Sequence, residues 1–310
     1  MKLCVVGIGG VGGYFGGKLA HTFRDKPDSS MEVCFVARGK HLETIKKSGL
    51  MLKTSDLGVL NCRPVLATDK IEELTDVDLF IIGVKGFHLD EVSRSLSSIV
   101  TKDTVILPLL NGVDIRERLR HHVKRGIILP ACVYVSSYIE EPGVVVQSGK
   151  PGRIILGRDP DRPDYQPKEL MEAFKGASIS FDWVNDAYPA IWEKYIFIAS
   201  FGLVSARFDR TLGDIFEDDH LRSLVRSIME EIYKISLKKE ISLPSDIVDI
   251  SLKKALLFPK ETETSLQRDM KRKGDNELDL FGKTVIDQGM QLNVPTPVTK
   301  QIYEKLLRVA

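Results

Sequence analysis

The sequence predicts a two-domain α/β chain in which a doubly wound parallel sheet precedes an all-helical domain. In the first half, short apolar segments alternate with helix-like segments, and a glycine-rich loop follows the first apolar segment. From Tyr188 onward almost every segment has a helical pattern. Strands covered on both faces are continuously apolar, and their alternation with helices is typical of βαβ units. We therefore predict a first domain over residues 1–187 and a second over residues 188–310.

Four apolar segments rich in β-branched residues predict the parallel strands. They are LCVV (3–6), EVCFVA (32–37), LFIIGV (79–84) and TVILPLL (104–110). The segments between them, VGGYFGGKLAHTF, KHLETIKKSG and DEVSRSLSSIV, have helical patterns. Helices that connect parallel strands cover the sheet on both faces.

Other parts of the first half predict further strands. Residues 50–67 alternate around Gly58 and predict an antiparallel excursion, and strand patterns continue over residues 128–157. The last strand candidate is SISFDWV (178–184). In the helical half we predict breaks at Gly213, Pro244, Pro259, Gly274 and Pro295.

Composition argues against several classes of partner. The chain has 44 basic and 43 acidic residues and a formal charge of +1, without a basic stripe or an acidic tail. Nucleic acid and membrane are therefore not expected as partners. The glycine-rich N-terminus does not resemble a signal peptide, and no apolar run approaches the roughly 20 residues of a spanning helix. We expect a cytoplasmic protein.

The four cysteines are scattered through the sequence without CxxC spacing. Three of them fall in apolar, strand-like segments, which predicts reduced and buried thiols. The adjacent histidines His121 and His122 would point away from each other on a helix. We expect no metal site.

The glycine-rich loop has the G-x-G-x-x-G pattern of a dinucleotide-binding site. It follows the first strand, opens a helix, and comprises Gly7, Ile8, Gly9, Gly10, Val11 and Gly12. The three glycines of the pattern permit a tight turn, backbone approach to a pyrophosphate, and close packing of helix on strand. The helix N-terminus then offers N–H groups and a positive dipole end to the phosphates. An ordinary turn is the weaker alternative, because the loop lies in the strand–loop–helix context that this function requires.

The end of the second predicted strand favours NADP over NAD. An acidic residue usually accepts a hydrogen bond from the ribose 2′-hydroxyl of NAD at this position, but here the strand is followed by Arg38, Gly39 and Lys40. A guanidinium group suits a 2′-phosphate. A solvated basic turn is the alternative interpretation.

Two polar residues follow other strands of the predicted sheet. Lys85 follows the third strand and Asn111 the fourth. Ligands of open α/β sheets bind outside the carboxyl ends of the strands, so both side chains are candidates for the site. An asparagine before a glycine is also common in turns.

Lys194 lies in a mostly apolar segment, AIWEKYIFIASFG (190–202), which predicts a packed helix. A buried ammonium group is costly unless it is paired or used. One interpretation is a lysine whose stem covers apolar surface while its tip reaches water. The other is a catalytic group at the start of the helical domain, where a two-domain reductase forms its cleft.

Further along the helical half, the segment 263–282 is rich in charged residues. Glu277 and Asp279 are two residues apart, so on one helix they would face different directions. We interpret Arg268, Lys271, Arg272 and Lys273 as a solvated face.

Taken together, these motifs resemble the ketopantoate reductase (2-dehydropantoate 2-reductase) family over nearly the full length of the chain. The resemblance depends on the order of the GIGGVG loop, Arg38, the V-K strand end at Lys85, L-N-G at Asn111, W-x-K at Lys194, G-D-I at Gly213, and S-x-x-x-D at Ser265 followed by E-x-D at Glu277. It implies a Rossmann domain followed by a helical domain similar to that of 6-phosphogluconate dehydrogenase. It also implies NADPH-dependent reduction of ketopantoate to pantoate, a step toward pantothenate and coenzyme A.

The resemblance also implies roles for individual residues. Lys194 would be the general acid, with Glu277 beside it and the substrate. Lys85 and Asn111 would line the nicotinamide and the substrate, and Ser265 would contact the substrate carboxylate.

The chain departs from the family pattern where amides commonly bind substrate. Ile198 and Gly202 occupy two positions that are usually asparagine, and Gly282-Lys283 replaces an Asn-Gly pair. A different, less polar 2-oxo acid is therefore an alternative substrate, and an NADPH-binding sensor without turnover is an alternative function. The apolar helices of the second domain are compatible with a homodimer or with internal core.

Overall fold

The computed structural model describes residues 1–24 and 31–308, and these form two compact units. The sheet unit comprises residues 1–110 and 115–187. The helical unit comprises residues 111–114 and the described chain from Tyr188 onward. Asn111–Asp114 thus clusters with the helical unit although it follows a strand of the sheet unit.

The sheet unit alternates strands and helices in its first half and ends in longer strands. In chain order its elements are β1 (Lys2–Val6), α1 (Gly10–Phe23), β2 (Glu32–Val36), α2 (Gly39–Ser48), β3 (Leu50–Thr54), β4 (Gly58–Cys62), β5 (Leu66–Thr68), β6 (Leu79–Ile82), α3 (Leu89–Ile99), β7 (Val105–Pro108), α4 (Ile115–His122), β8 (Ile127–Ile128), β9 (Ala131–Glu141), β10 (Val144–Gly157), α5 (Lys168–Gly176) and β11 (Ser180–Val184). Short 3-10 turns lie at Ile71–Glu73 and Gly86–His88.

The main sheet is parallel and six-stranded, in the order β5-β2-β1-β6-β7-β8. Counted along the chain, these strands have the order 3-2-1-4-5-6 of the Rossmann fold. The order reverses between β1 and β6, which is where ligands of such sheets bind. The predicted doubly wound parallel sheet is therefore confirmed.

A second, mixed sheet has the order β11-β10-β3-β4, with β9 antiparallel to β10. Its β3–β4 hairpin turns at residues 55–57, directly before Gly58, as the alternation around this glycine predicts. The prediction extended this excursion to residue 67, which is wrong at its end. Leu66–Thr68 instead pairs with β2 as an edge strand of the main sheet. Three residues are too few to show the continuous apolar pattern of a covered strand.

One continuous core joins the two sheets through α1. Phe15 and Leu19 of α1 are fully buried in a cluster with Val5 and Phe35 of the main sheet and Leu52 of the second sheet. Helix α1 packs against strands of both sheets. The helix after the glycine loop is therefore fixed on both sides, which fixes the position of the loop.

The helical unit contains eight helices over the described residues. They are α6 (Tyr188–Phe208), α7 (Leu212–Glu217), α8 (Asp219–Lys238), α9 (Ile247–Lys254), α10 (Ser265–Lys271), α11 (Leu278–Phe281), α12 (Lys283–Leu292) and α13 (Pro297–Leu307). A 3-10 turn lies at Ala255–Leu257. The long α6 packs against α8, α9, α10, α11 and α13 and is the central helix of the unit.

Four of the five predicted breaks lie between helices, but the break at Gly213 is wrong. Gly213 is inside α7, and its N–H donates to the Lys260 carbonyl at 3.0 Å. A Cβ at this position would lie 2.7 Å from the Lys260 Cβ, so close packing explains the glycine. The helix begins after Thr211, whose side chain and that of Asp214 form a capping box.

Candidate active site

The glycine loop follows β1 at the point where the strand order reverses. Gly7 has φ +91°, a backbone conformation that is unfavourable for residues with a side chain. A Cβ on Gly12 would lie only 2.0 Å from the Gly7 carbonyl oxygen, so α1 approaches the loop as closely as its backbone allows. Gly9 is the N-cap of α1 and carries no capping side chain. The first-turn N–H groups and the dipole of α1 are thus directed to the loop, an arrangement that fits a pyrophosphate.

Arg38 lies two residues after Val36, the end of β2, and is the N-cap of α2. Its Nη2 donates to the Oε1 atom of Glu91 at 2.6 Å, and both side chains are more than half exposed. Glu91 belongs to α3, which follows β6 in the chain. The sequence motifs indicate Arg38 but not Glu91, because 53 residues separate the two in the chain.

Lys85 precedes the 3-10 turn Gly86–His88, three residues after the end of β6, and is exposed. Strands β6 and β1 are neighbours, so this turn begins beside the glycine loop. Arg118 of α4 donates to the Gly86 carbonyl at 2.7 Å and fixes the turn. The sequence does not indicate Arg118, because it is part of no motif.

In the helical unit, Lys194 and Asn111 are in direct contact. Lys194 Nζ donates to Asn111 Oδ1 at 2.7 Å, and both residues are partly buried. The preceding residue, Glu193, instead pairs with Lys254. The contact orients the ammonium group and uses the carbonyl side of the Asn111 amide.

Glu277 and Ser265 lie on elements that pack against the helix of Lys194. Ser265 is the first residue of α10, and the buried Glu277 is the N-cap of α11. The hydroxyl of Tyr195 donates to the Leu280 carbonyl at 2.6 Å, which joins α6 to α11. Burial raises the pKa of Tyr195 well above its usual range, so the hydroxyl stays a neutral donor. The hydroxyls of Ser205 and Thr264 are 2.6 Å apart and join α6 to the start of α10.

Asp279 does not share the buried position of Glu277. It is exposed and accepts a hydrogen bond from the Tyr303 hydroxyl at 2.7 Å. Desolvation and then the hydrogen bond to this carboxylate raise the pKa of Tyr303. The two carboxylates therefore differ in burial, as their spacing predicts.

The side of α6 that follows Lys194 is apolar at two successive turns. Ile198 is partly buried, and Gly202 is buried against Leu266 and Phe281. A Cβ on Gly202 would make ordinary contacts of 3.7–3.9 Å with these two residues. Packing therefore does not exclude a Cβ at this position.

A separate cavity of about 330 Å³ lies on the sheet unit, away from the glycine loop. It is lined by Lys102, Arg120, Lys124, Arg125, Gly126, Asp161 and Arg162. Lys102 and Gly126 precede β7 and β8, so the cavity is at the amino ends of these strands. Ligands of such sheets bind at the carboxyl ends, so we do not assign the reaction to it.

Comparison with known proteins gives the family. The sequence profile described as ketopantoate reductase PanE/ApbA matches residues 3–161, and the profile of the C-terminal domain of the same family matches residues 186–310. The chain belongs to the ketopantoate reductase family. Ketopantoate reductases are oxidoreductases, so the predicted family and reaction class are confirmed.

Two curated relatives of this ketopantoate reductase family member extend over nearly the whole chain. An uncharacterized oxidoreductase, YkpB, of Bacillus subtilis is 27% identical over 306 residues, which is 99% of this chain and 98% of that protein. A 2-dehydropantoate 2-reductase of Pyrococcus horikoshii is 27% identical over 299 residues, which is 96% of this chain and 94% of that protein.

Solved structures show the same fold. The PanE/ApbA family ketopantoate reductase of Ralstonia eutropha JMP134 has a TM-score of 0.88 at 23% identity and covers 100% of this chain and 98% of its own. D-mandelate dehydrogenase, solved with NADH and anilino(oxo)acetate, has a TM-score of 0.86 at 20% identity with the same coverage. The fold of the family thus accompanies more than one activity.

Across residues 1–24 and 31–308, no group of three or more His, Cys, Asp and Glu side chains could hold a metal ion. In the same part of the chain, no helix combines the length and the apolar character needed to cross a membrane.

Proposed function

We propose that this family member is an NADPH-dependent 2-oxo acid reductase that converts ketopantoate to pantoate. The observation that carries the proposal is the hydrogen bond from Lys194 Nζ to Asn111 Oδ1 at 2.7 Å. It orients a cation in a partly buried setting, which is what a reduction that develops negative charge on a carbonyl oxygen requires. The matched family supports ketopantoate as the substrate.

The glycine loop, Arg38 and Lys85 would hold the dinucleotide. The loop backbone and the start of α1 suit the pyrophosphate, because side chains at Gly7 or Gly12 would disrupt the turn or fill the close approach. Arg38 suits a ribose 2′-phosphate. The structural relative D-mandelate dehydrogenase was solved with NADH, which supports a nicotinamide cofactor for this fold. When bound, the reduced nicotinamide supplies the hydride that adds to the keto carbon.

Lys194 would act on the keto oxygen. Its ammonium group stabilises the negative charge that develops there and donates a proton, so that the keto group becomes a hydroxyl. Lys194 is then neutral and regains a proton from solvent. Asn111 keeps the ammonium oriented, and a preorganised donor of this kind costs no reorganisation during the reaction.

Ser265 and Glu277 would bind the rest of the substrate. The hydroxyl of Ser265 would donate to the substrate carboxylate from the start of α10, where the helix dipole also favours an anion. Glu277, buried at the start of α11, would hold the polar end of the substrate and the ammonium of Lys194 in place.

A second candidate is a 2-oxo acid with a less polar side chain than ketopantoate. Ile198 and Gly202 offer no amide on the turns after Lys194, and the neighbours of Gly202 are the apolar Leu266 and Phe281. Sites that hydrogen-bond a substrate hydroxyl reject analogues without it by about 10⁴–10⁵, whereas apolar pockets discriminate by only about 10². Without these amides, we expect the site to discriminate only weakly between ketopantoate and 2-oxo acids that lack its hydroxyl group.

Steady-state oxidation of NADPH with matched substrates tests both candidates. We would compare ketopantoate with trimethylpyruvate, which lacks only the hydroxyl group, and with an aryl 2-oxo acid. The proposal predicts turnover of ketopantoate, with kcat/KM values for the first two substrates within roughly 100-fold. A double variant, Ile198→Asn with Gly202→Asn, should then favour ketopantoate more strongly.

The same assay, together with titration of the protein with NADPH, separates the remaining alternatives. Turnover of the apolar acids without turnover of ketopantoate would establish the second candidate in place of the first. Tight NADPH binding without turnover of any 2-oxo acid would indicate a sensor and contradict the proposal.

A further inference from the structure

The oppositely charged side chains of Arg38 and Glu91 meet near the position where folds of this kind bind the ribose of a dinucleotide. Arg38 follows β2, Glu91 lies on α3 after β6, and β2 and β6 are the two neighbours of β1 in the main sheet. The pair, with Arg38 Nη2 2.6 Å from Glu91 Oε1, therefore lies beside the strand that carries the glycine loop.

Each member of the pair suits a different dinucleotide. A guanidinium group binds the 2′-phosphate of NADP, and a carboxylate accepts a hydrogen bond from the 2′-hydroxyl of NAD. The end of β2 itself has no carboxylate, but the fold brings one to the same place from a distant helix. We propose that Glu91 is a cofactor-selectivity residue that weakens NADPH binding and supports NADH binding, so that the chain accepts both.

Arg38 can leave Glu91 at little cost. Their side chains are 55% and 59% exposed, and ion pairs of this exposure contribute little because water and salt screen them. A 2′-phosphate therefore competes successfully for the guanidinium group.

Glu91 remains beside the phosphate after Arg38 has turned to it. Its Oε2 atom is 3.7 Å from Nδ1 of His88, so the carboxylate has a second neighbour on the same stretch of chain. Like charges close together repel, and this repulsion reduces the affinity for NADPH but not for NADH.

The proposal predicts opposite changes for the two cofactors in Glu91→Gln. Loss of the carboxylate frees Arg38 and removes the repulsion, so the Kd for NADPH should fall about three- to tenfold. The Kd for NADH should rise, because a carboxylate acceptor for the 2′-hydroxyl is replaced by a neutral amide. The ratio of the two Kd values should shift at least about tenfold.

Asp90→Asn is the matched control. Asp90 is the adjacent residue of α3 and is also exposed, but it pairs with Arg94 and His122. The control removes the same charge from the same helix without touching Arg38, so its Kd ratio should change less than about twofold.

A second control tests whether Glu91 acts through Arg38. In an Arg38→Gln background, the gain in NADPH affinity from Glu91→Gln should largely disappear, because interacting residues are not additive. All variants should be compared by thermal unfolding to verify that they fold.

The measurement is direct titration of each protein with NADPH and with NADH, without any 2-oxo acid. The inference rests on the proposed cofactor role, and binding without substrate separates their failures. If wild type binds neither dinucleotide, both the proposed function and the inference are overturned. If it binds only one of them, or if Glu91→Gln shifts the Kd ratio no more than Asp90→Asn, only the selectivity role of Glu91 is wrong.

Discussion

The sequence indicates Lys194 and Asn111 separately, and only the structure shows that they are in contact. Each is indicated by its local sequence, Lys194 by its apolar helix and Asn111 by its place after a strand. Their contact is not predictable from the sequence, because 83 residues separate them and it depends on how Asn111–Asp114 packs with the helical unit. The same holds for Arg38 and Glu91, which are joined only by the strand order of the sheet.

The structure also explains why Glu193 and Lys194 stand next to each other in an apolar helix. Glu193 pairs with Lys254, while Lys194 reaches Asn111. Adjacent residues on a helix point in different directions, so they do not neutralise each other. Lys194 therefore contacts Asn111 and not the carboxylate beside it in the sequence.

At this scale we predict that Asn111→Ala lowers kcat/KM for the 2-oxo acid by about 10- to 100-fold. The loss of a hydrogen-bond partner to a charged group typically costs about 1.5–3 kcal/mol, and the ammonium group would lose its orientation. Steady-state kinetics provides the measurement.

Asn185→Ala is the control for Asn111→Ala. Asn185 is an exposed asparagine that accepts a hydrogen bond from Arg158 at 3.0 Å. The role assigned to Asn111 would be wrong if both variants kept normal kcat/KM values.

Among the elements, the covered parallel strands and their helices are predictable because their patterns are local. β6 and β7 are continuously apolar, β1 and β2 are apolar after their first residues, Lys2 and Glu32, and the glycine pattern fixes where α1 begins. Pairing in the second sheet is less predictable, because β10 pairs with β3 from a distant part of the chain and with β11 across helix α5, and only its pairing with β9 is local. The error at Gly213 has a similar cause, since its close neighbour Lys260 is distant in sequence.

Gly9 and Gly12, at the junction of β1 and α1, should differ in how much a substitution changes the stability of the protein. Gly12→Ala should destabilise the protein by about 1–3 kcal/mol, because its Cβ would lie 2.0 Å from the Gly7 carbonyl oxygen and α1 would have to move. Gly9→Ala should cost less than about 1 kcal/mol, because its nearest neighbour would be the Gly83 carbonyl oxygen at 3.9 Å.

Gly9→Ala should nevertheless weaken NADPH binding severely, because the added methyl group would stand where the backbone must approach the pyrophosphate. Urea unfolding measures the first effect and cofactor titration the second. Equal NADPH affinity in wild type and Gly9→Ala would show that the loop does not hold the dinucleotide.

For the whole molecule, two compact units divide the two tasks of the proposed reaction. The sheet unit carries the glycine loop, Arg38 and Lys85, and the helical unit carries Lys194 with Asn111, Ser265 and Glu277. The four cysteines are buried in the sheet unit, and burial raises the pKa of Cys62 to about 12, as expected for packing rather than reactive thiols.

The fold and the family were predictable from the order of short motifs along the chain, since each motif has a mechanism that requires its strand or helix. The substrate was not, because it depends on a few positions such as Gly202, whose surroundings come from three helices. Family membership therefore determines the kind of chemistry more firmly than the acid that is reduced.

The most direct test of the account is NADPH oxidation with ketopantoate by wild type, Lys194→Ala and Lys254→Ala. Lys254 is a lysine of the same unit that pairs with Glu193 and serves as the matched control. We predict that Lys194→Ala lowers kcat about 10²- to 10⁴-fold with unchanged NADPH affinity, and that Lys254→Ala stays near wild type. Near-normal turnover by Lys194→Ala would contradict the central role assigned to this lysine.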